Sequence, residues 1–118
     1  MTDEQILLRA IERIKKGWTQ RTYARDTIDD GVGSDYKDAV AWCILGSIGS
    51  DVDDRSQLQT LLESQLKGHW KAASLPSWND DESRRKSHVL ALLNEALVRV
   101  RAAKKKPAKA PRQPRQDR

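Results

Sequence analysis

Apolar residues along this chain gather into four groups, separated by polar stretches that carry most of the acids. The first group repeats at helical spacing through Leu7, Ile11, Ile14 and Trp18, with Ile6 and Ala10 widening the stripe. Thr2-Asp3-Glu4-Gln5 ahead of it fits a capping box. Lys15 and Lys16 suit the negative end of a helix dipole, and Gly17 is placed to stop the helix. The pattern predicts a helix over about residues 3–16. The second group, Ala39 to Ile48, is the longest apolar run and contains no charge. Wound as a helix it is apolar on nearly every side, the mark of an element surrounded by others. It is too short to span a bilayer. A buried parallel strand reads the same way, but one such run makes no sheet. Ser34, Asp35 and Asp38 before it suit a helix start, and Gly49 after it a helix end. The reading is a central helix from about Asp35 to Ile48.

Leu58, Leu61, Leu62 and Leu66 form a third stripe and predict a helix over about residues 54–67, closed by Lys67 and Gly68. Val89, Leu90, Leu93, Ala96, Leu97 and Val100 predict a last helix from near Asp81 to beyond Arg101. Trp42, Ile44, Leu45 and Ile48 should lie buried against Leu7, Ile11, Leu62, Leu93 and Leu97. Residues 18–34 hold no period, and 69–76 look irregular. From Pro107 onward Pro, Ala, Gln, Lys and Arg alternate, a composition that cannot bury enough apolar surface to order itself. The fold expected is all-α. A compact bundle of about four helices around a buried central one would occupy residues 1–103, with long ordered loops. A disordered basic tail would follow over 104–118.

Composition sharpens this in three ways. A chain of 118 residues supports one domain, and with no Phe its core must come from Leu, Ile, Val and a few aromatics. A single cysteine excludes an internal disulfide and any multi-cysteine zinc site. With no charged-then-apolar leader after Met1 and no membrane-length run, a cytoplasmic protein is expected. The net charge of +5 belongs to the tail. Residues 104–118 carry seven Lys or Arg against one Asp, a balance of +6, while the first 103 carry 15 basic and 16 acidic side chains. No global basic field on the body argues for nucleic acid.

Candidate chemistry is sparse. Asp26, Asp30 and Gly31 fall at positions 1, 5 and 6 of an EF-hand count, but Ile28 and Lys37 stand where oxygen ligands are needed, so no metal is expected. Cys43 reads as a small buried hydrophobe rather than an activated thiol. His69 and His88 lack the paired spacing of a metal site. No phosphate-binding glycine loop or nucleophile elbow is present, and no cofactor is expected. Trp18, Tyr23, Trp70 and Trp78 all lie outside the helix interiors. They read either as a lid on the core or, with Arg21 and Arg25, as a partner-binding surface of residue types enriched at hot spots. In Trp78-Asn79-Asp80, the two polar residues can bond amides at the start of the last helix, while Trp78 packs back as a staple.

The order Gly17-Trp18-Thr19-Gln20, Tyr23-Ala24-Arg25-Asp26, Ala39 to Ile48, Trp78-Asn79-Asp80 and Val89 to Asn94 resembles a small uncharacterised helical domain of phages and bacteria, over about residues 5–100. The resemblance implies such a source and carries no catalytic residues across. The function expected is a non-enzymatic interaction module that docks a protein partner through the aromatic loops. Lys104, Lys105, Lys106, Lys109, Arg112, Arg115 and Arg118 would add weak, sequence-blind nucleic-acid contact. The alternatives are a small enzyme using Asp26, Asp80 and Arg25 or Arg21, and a structural component of a virion.

Overall fold

The computed structural model describes residues 1–49, 55–70 and 74–105. Its first element, α1 (Asp3–Lys16), follows from the amphipathic stripe. The Gln5 N–H donates to the Thr2 hydroxyl while the Thr2 N–H donates to the Gln5 side chain, so two first-turn donors are satisfied reciprocally. Ile6, Leu7, Ala10, Ile11 and Ile14 are buried along one face.

The centre of the chain overturns the all-α expectation. Residues expected to form a loop contain β1 (Ala24–Asp26) and β2 (Gly31–Val32), and the expected central helix begins as a strand, β3 (Ala39–Trp42). Both neighbours pair antiparallel with β1, giving a three-stranded sheet of order β2-β1-β3. The fold is therefore mixed, helices plus a small sheet. The sequence hid the other two strands: at three and two residues they are too short to show alternation. Within β3, Val40 stays exposed while Trp42, two residues on and on the same side, is buried. No clean two-residue period survives.

Only the second half of the apolar run is helical, as α2 (Ile44–Ile48). Cys43 breaks the run in an extended conformation and caps the helix, its Sγ accepting from the Gly46 N–H at 3.3 Å. Gly46 is where the sheet and α2 touch, since a Cβ there would run into the Tyr23 carbonyl oxygen. At the far end, Arg9 donates to the Ile48 carbonyl at 2.6 Å and Arg13 to the Gly46 carbonyl at 3.1 Å. Two cations from α1 thus serve the negative, under-bonded end of α2.

The chain continues as α3 (Arg55–Gln65), which widens into a π-helical turn over Leu66–Trp70. A short α4 (Leu75–Asn79) stands where irregular structure was expected. Ser74 caps it, Pro76 sits in its first turn, and Leu75 and Trp78 are buried. The last helix, α5 (Lys86–Lys105), begins five residues later than the pattern suggested. It packs along α1, with α3 on it as well, while α1 also covers α2 and β3. The core unites Leu7, Ile11, Leu62, Leu93 and Leu97 with Trp42, Ile44 and Ile48, as expected; Leu45 is only half-buried. No helix of the described residues is long and apolar enough to cross a membrane. The expected start of the third helix at residue 54 and the tail from Lys106 lie outside the described residues. Lys104 and Lys105 form the last turn of α5, where the Lys104 ammonium reaches Glu4 at 3.4 Å.

Candidate functional site

The site is built on Asn79, which is 1% exposed at the end of α4. Its Oδ1 accepts from the Trp18 indole N–H at 2.9 Å and from the Ile44 N–H at 3.0 Å. Its Nδ2 donates to the Thr19 carbonyl at 3.2 Å and to Asp80 Oδ1 at 3.1 Å. Both lone pairs and both protons of the amide are used. The expectation that Asn79 serves the start of the last helix gives way to a different target, the first amide of α2.

The loop before β1 is tied to the same corner. Gln20 Nε2 donates to the carbonyls of Asn79 at 3.0 Å and Asp81 at 2.9 Å, and the Arg21 N–H donates to Asp80 Oδ1 at 2.8 Å. Arg21 adopts a left-handed conformation (φ 70°), which a side chain with a Cβ rarely takes, and the Asp80 carboxylate holds it there. The residues that follow turn outward. Tyr23 is 51% exposed, although its carbonyl accepts from the Cys43 N–H at 3.1 Å.

Between this loop, the start of α2 and α4 lies an open cleft of about 420 Å³. Cys43, Ile44, Leu45 and Pro76 give it an apolar lining, and Arg21, Thr22, Tyr23, Asn79 and Asp80 give it a polar one. Cys43 Sγ is occupied by its helix cap, and burial pushes its thiol above the ordinary value, with the Asp80 charge adding to the rise. Among the described residues, no group of three or more His, Cys, Asp or Glu side chains could hold a metal ion.

With this geometry in place, comparison with known proteins adds one finding. The family model described as a family of unknown function, DUF6197, matches residues 1–99. The chain belongs to this family. No curated protein and no solved structure matches it.

The cleft of this DUF6197 chain gathers some of the residues singled out from sequence and leaves others aside. Arg21, Tyr23 and Asp80 meet on it. Arg25 turns inward as a brace, its guanidinium donating to Thr19 Oγ1 at 2.7 Å and to the carbonyls of Gln20 and Asp29. Asp26 closes the β1–β2 turn, accepting from the Ile28 and Asp30 amides. Trp18 is half-buried on its bond to Asn79, and Trp78 lies in the core at 1% exposure. Trp70 meets Trp78 edge-on with ring centres 5.5 Å apart. Sequence reasoning missed Arg84, whose guanidinium lies 4.6 Å from the Trp70 ring and 4.4 Å from the Trp78 ring. Its Nε also donates to the Trp78 carbonyl at 2.8 Å. His88 lies beside the same cluster, 5.1 Å from Trp70, while its Nδ1 accepts from the Arg85 N–H. His69 falls in the π-helical turn. The role of Asn79 in this DUF6197 fold left no spacing signal, because Trp18, Thr19 and Ile44 come from distant turns of chain; Arg84 sits six residues from Trp78, a spacing that falls on different faces of a helix.

Proposed function

We propose that this chain is a non-enzymatic interaction module that docks a protein partner through the face carrying Arg21 and Tyr23. The observation behind the proposal is the pairing of exposure with fixation. Tyr23 presents its ring to solvent from a loop whose preceding residues are pinned by the Trp18, Gln20, Arg21 and Asn79 hydrogen bonds. Tyr and Arg are favoured interface anchors, and an anchor held rigid before binding loses little conformational entropy on docking. The chemistry in the cleft favours binding over catalysis. Its thiol is held toward the protonated form, and its Sγ is taken up by the Gly46 amide. A reducing cytoplasm suits the single free cysteine. The basic residues from Lys104 onward supply a second, sequence-blind attraction to nucleic acid.

The docking face is tested by placing a photo-crosslinking amino acid at Tyr23 and, as a control, at Val98, which is 66% exposed on α5. Discrete adducts in nuclease-treated lysate from Tyr23 but not from Val98 are expected. Equal labelling from both positions, or none from Tyr23, would sink the reading.

A further inference from the structure

Resting on the docking reading, we infer that the cleft takes an extended segment of the partner that presents an apolar side chain and a carboxylate two residues apart. Three features of the cleft define this ligand. Its floor, Leu45 with the edge of Cys43 and Pro76 at the side, offers apolar surface, and 420 Å³ is room for a side chain or two rather than for a helix. Arg21 supplies the cleft's cation. Among the described residues no carboxylate pairs with its guanidinium, and the one acid on the cleft, Asp80, directs Oδ1 at the backbone N–H of Arg21 and at Asn79. A guanidinium free at the edge of an apolar cleft is matched by a carboxylate, which it can grip with two parallel hydrogen bonds. Tyr23, half-exposed on the rim, adds a broad ring against which a peptide backbone can lie.

The spacing follows from strand geometry. In an extended chain, side chains two residues apart fall on one side, so one can fill the floor while the other meets Arg21. A free anion would engage Arg21 and leave the floor empty, whereas a purely apolar segment would leave the guanidinium unanswered. The left-handed backbone at Arg21 points the same way. Glycine would adopt φ 70° without strain, yet this position carries the one side chain that gives the cleft its cation.

The test titrates the full chain, ¹⁵N-labelled, with peptides in a Gly/Ser background bearing Leu-Ser-Asp, Leu-Ser-Asn or Gly-Ser-Asp. The Leu-Ser-Asp peptide should move the amides of Arg21, Tyr23 and Leu45 saturably. Changing its Asp to Asn, or its Leu to Gly, should weaken binding at least tenfold. Arg21→Gln should weaken the Leu-Ser-Asp peptide by a similar factor and abolish the preference for Asp over Asn. Arg21→Gly, which relaxes the backbone while removing the same guanidinium, should lose binding with an intact spectrum. Binding that needs Tyr23 but is indifferent to Asp against Asn would overturn this inference and leave the docking face standing. Equal binding of Leu and Gly peptides would reduce the cleft to an anion site and overturn it too. No shifts with any peptide would also overturn it, and the Tyr23 cross-link would then judge the docking face separately.

Discussion

One side-chain amide joins three parts of this molecule: Asn79 Oδ1 accepts from the start of α2 and from the Trp18 indole, and Nδ2 donates to Thr19 and Asp80. Asn79→Ala leaves a buried backbone N–H and an indole N–H without acceptors, each an unmet group worth on the order of 1–3 kcal/mol. A loss of about 2–4 kcal/mol in urea unfolding is expected. Asn79→Asp keeps the acceptor oxygens but gives up both donor bonds and sets a second carboxylate beside Asp80, so it should also destabilise. A loss below about 1 kcal/mol for Asn79→Ala would show that water replaces the amide and that this corner is not the pin we describe. The Trp78-Asn79-Asp80 step was visible in the sequence as a capping device. Its true target, Ile44, lies 35 residues earlier, and a bond across the fold leaves no trace in local spacing.

At the scale of elements, α1 was fully legible, because its cap, stripe and stop are all local. The run from Ala39 to Ile48 was legible as core but not as structure. Its strand depends on β1, a three-residue partner that carries no pattern of its own, and its break at Cys43 depends on a thiol cap. The short α4 was hidden because two buried residues, Leu75 and Trp78, make less than a stripe. The contact between sheet and α2 gives a prediction of sign. Helix propensity alone says that Gly46→Ala stabilises by about 1 kcal/mol. The Tyr23 carbonyl in the path of the new Cβ says the reverse, a loss of roughly 1–3 kcal/mol as α2 is pushed off the sheet. The melting temperature decides, and we expect it to fall. The tie between α1 and α5 is also testable. The Arg101 guanidinium, donating to Glu4 at 2.8 Å, holds that carboxyl below the ordinary glutamate value, with Lys104 assisting. A carboxyl lowered in the folded state stabilises above its unfolded pKa and loses that contribution as pH falls through the folded one. Glu4→Gln should therefore melt lower than the native chain at pH 7, and the difference should close as pH drops below about 4.3. A gap that persists undiminished at pH 2 would mean that packing, not charge, joins the helices there.

For the whole molecule, the division of charge sets the expectation for nucleic acid. On α5, Arg99 is answered by Glu95 and Arg101 by Glu4, and by sequence seven Lys or Arg against one Asp fall at 104–118. Replacing Lys109, Arg112, Arg115 and Arg118 with Gln should weaken binding to duplex DNA of any sequence. It should also reduce the slope of log affinity against log salt by about 3 to 4 units, near 0.9 for each phosphate that is no longer neutralised. Binding unaffected by these changes would place the nucleic-acid surface elsewhere than on these four side chains. The arrangement of α1 against α5 has a further consequence, for the chain as it is being made. Glu4 and Arg101 meet across 97 residues of sequence, and about half of the apolar face of α1 is closed by the last helix, the rest by α2 and β3. At a synthesis rate of roughly 5–20 residues per second, that half waits on the order of 5–20 seconds for its cover. During that interval the nascent chain offers a half-covered amphipathic helix, the kind of surface that chaperones bind at the ribosome.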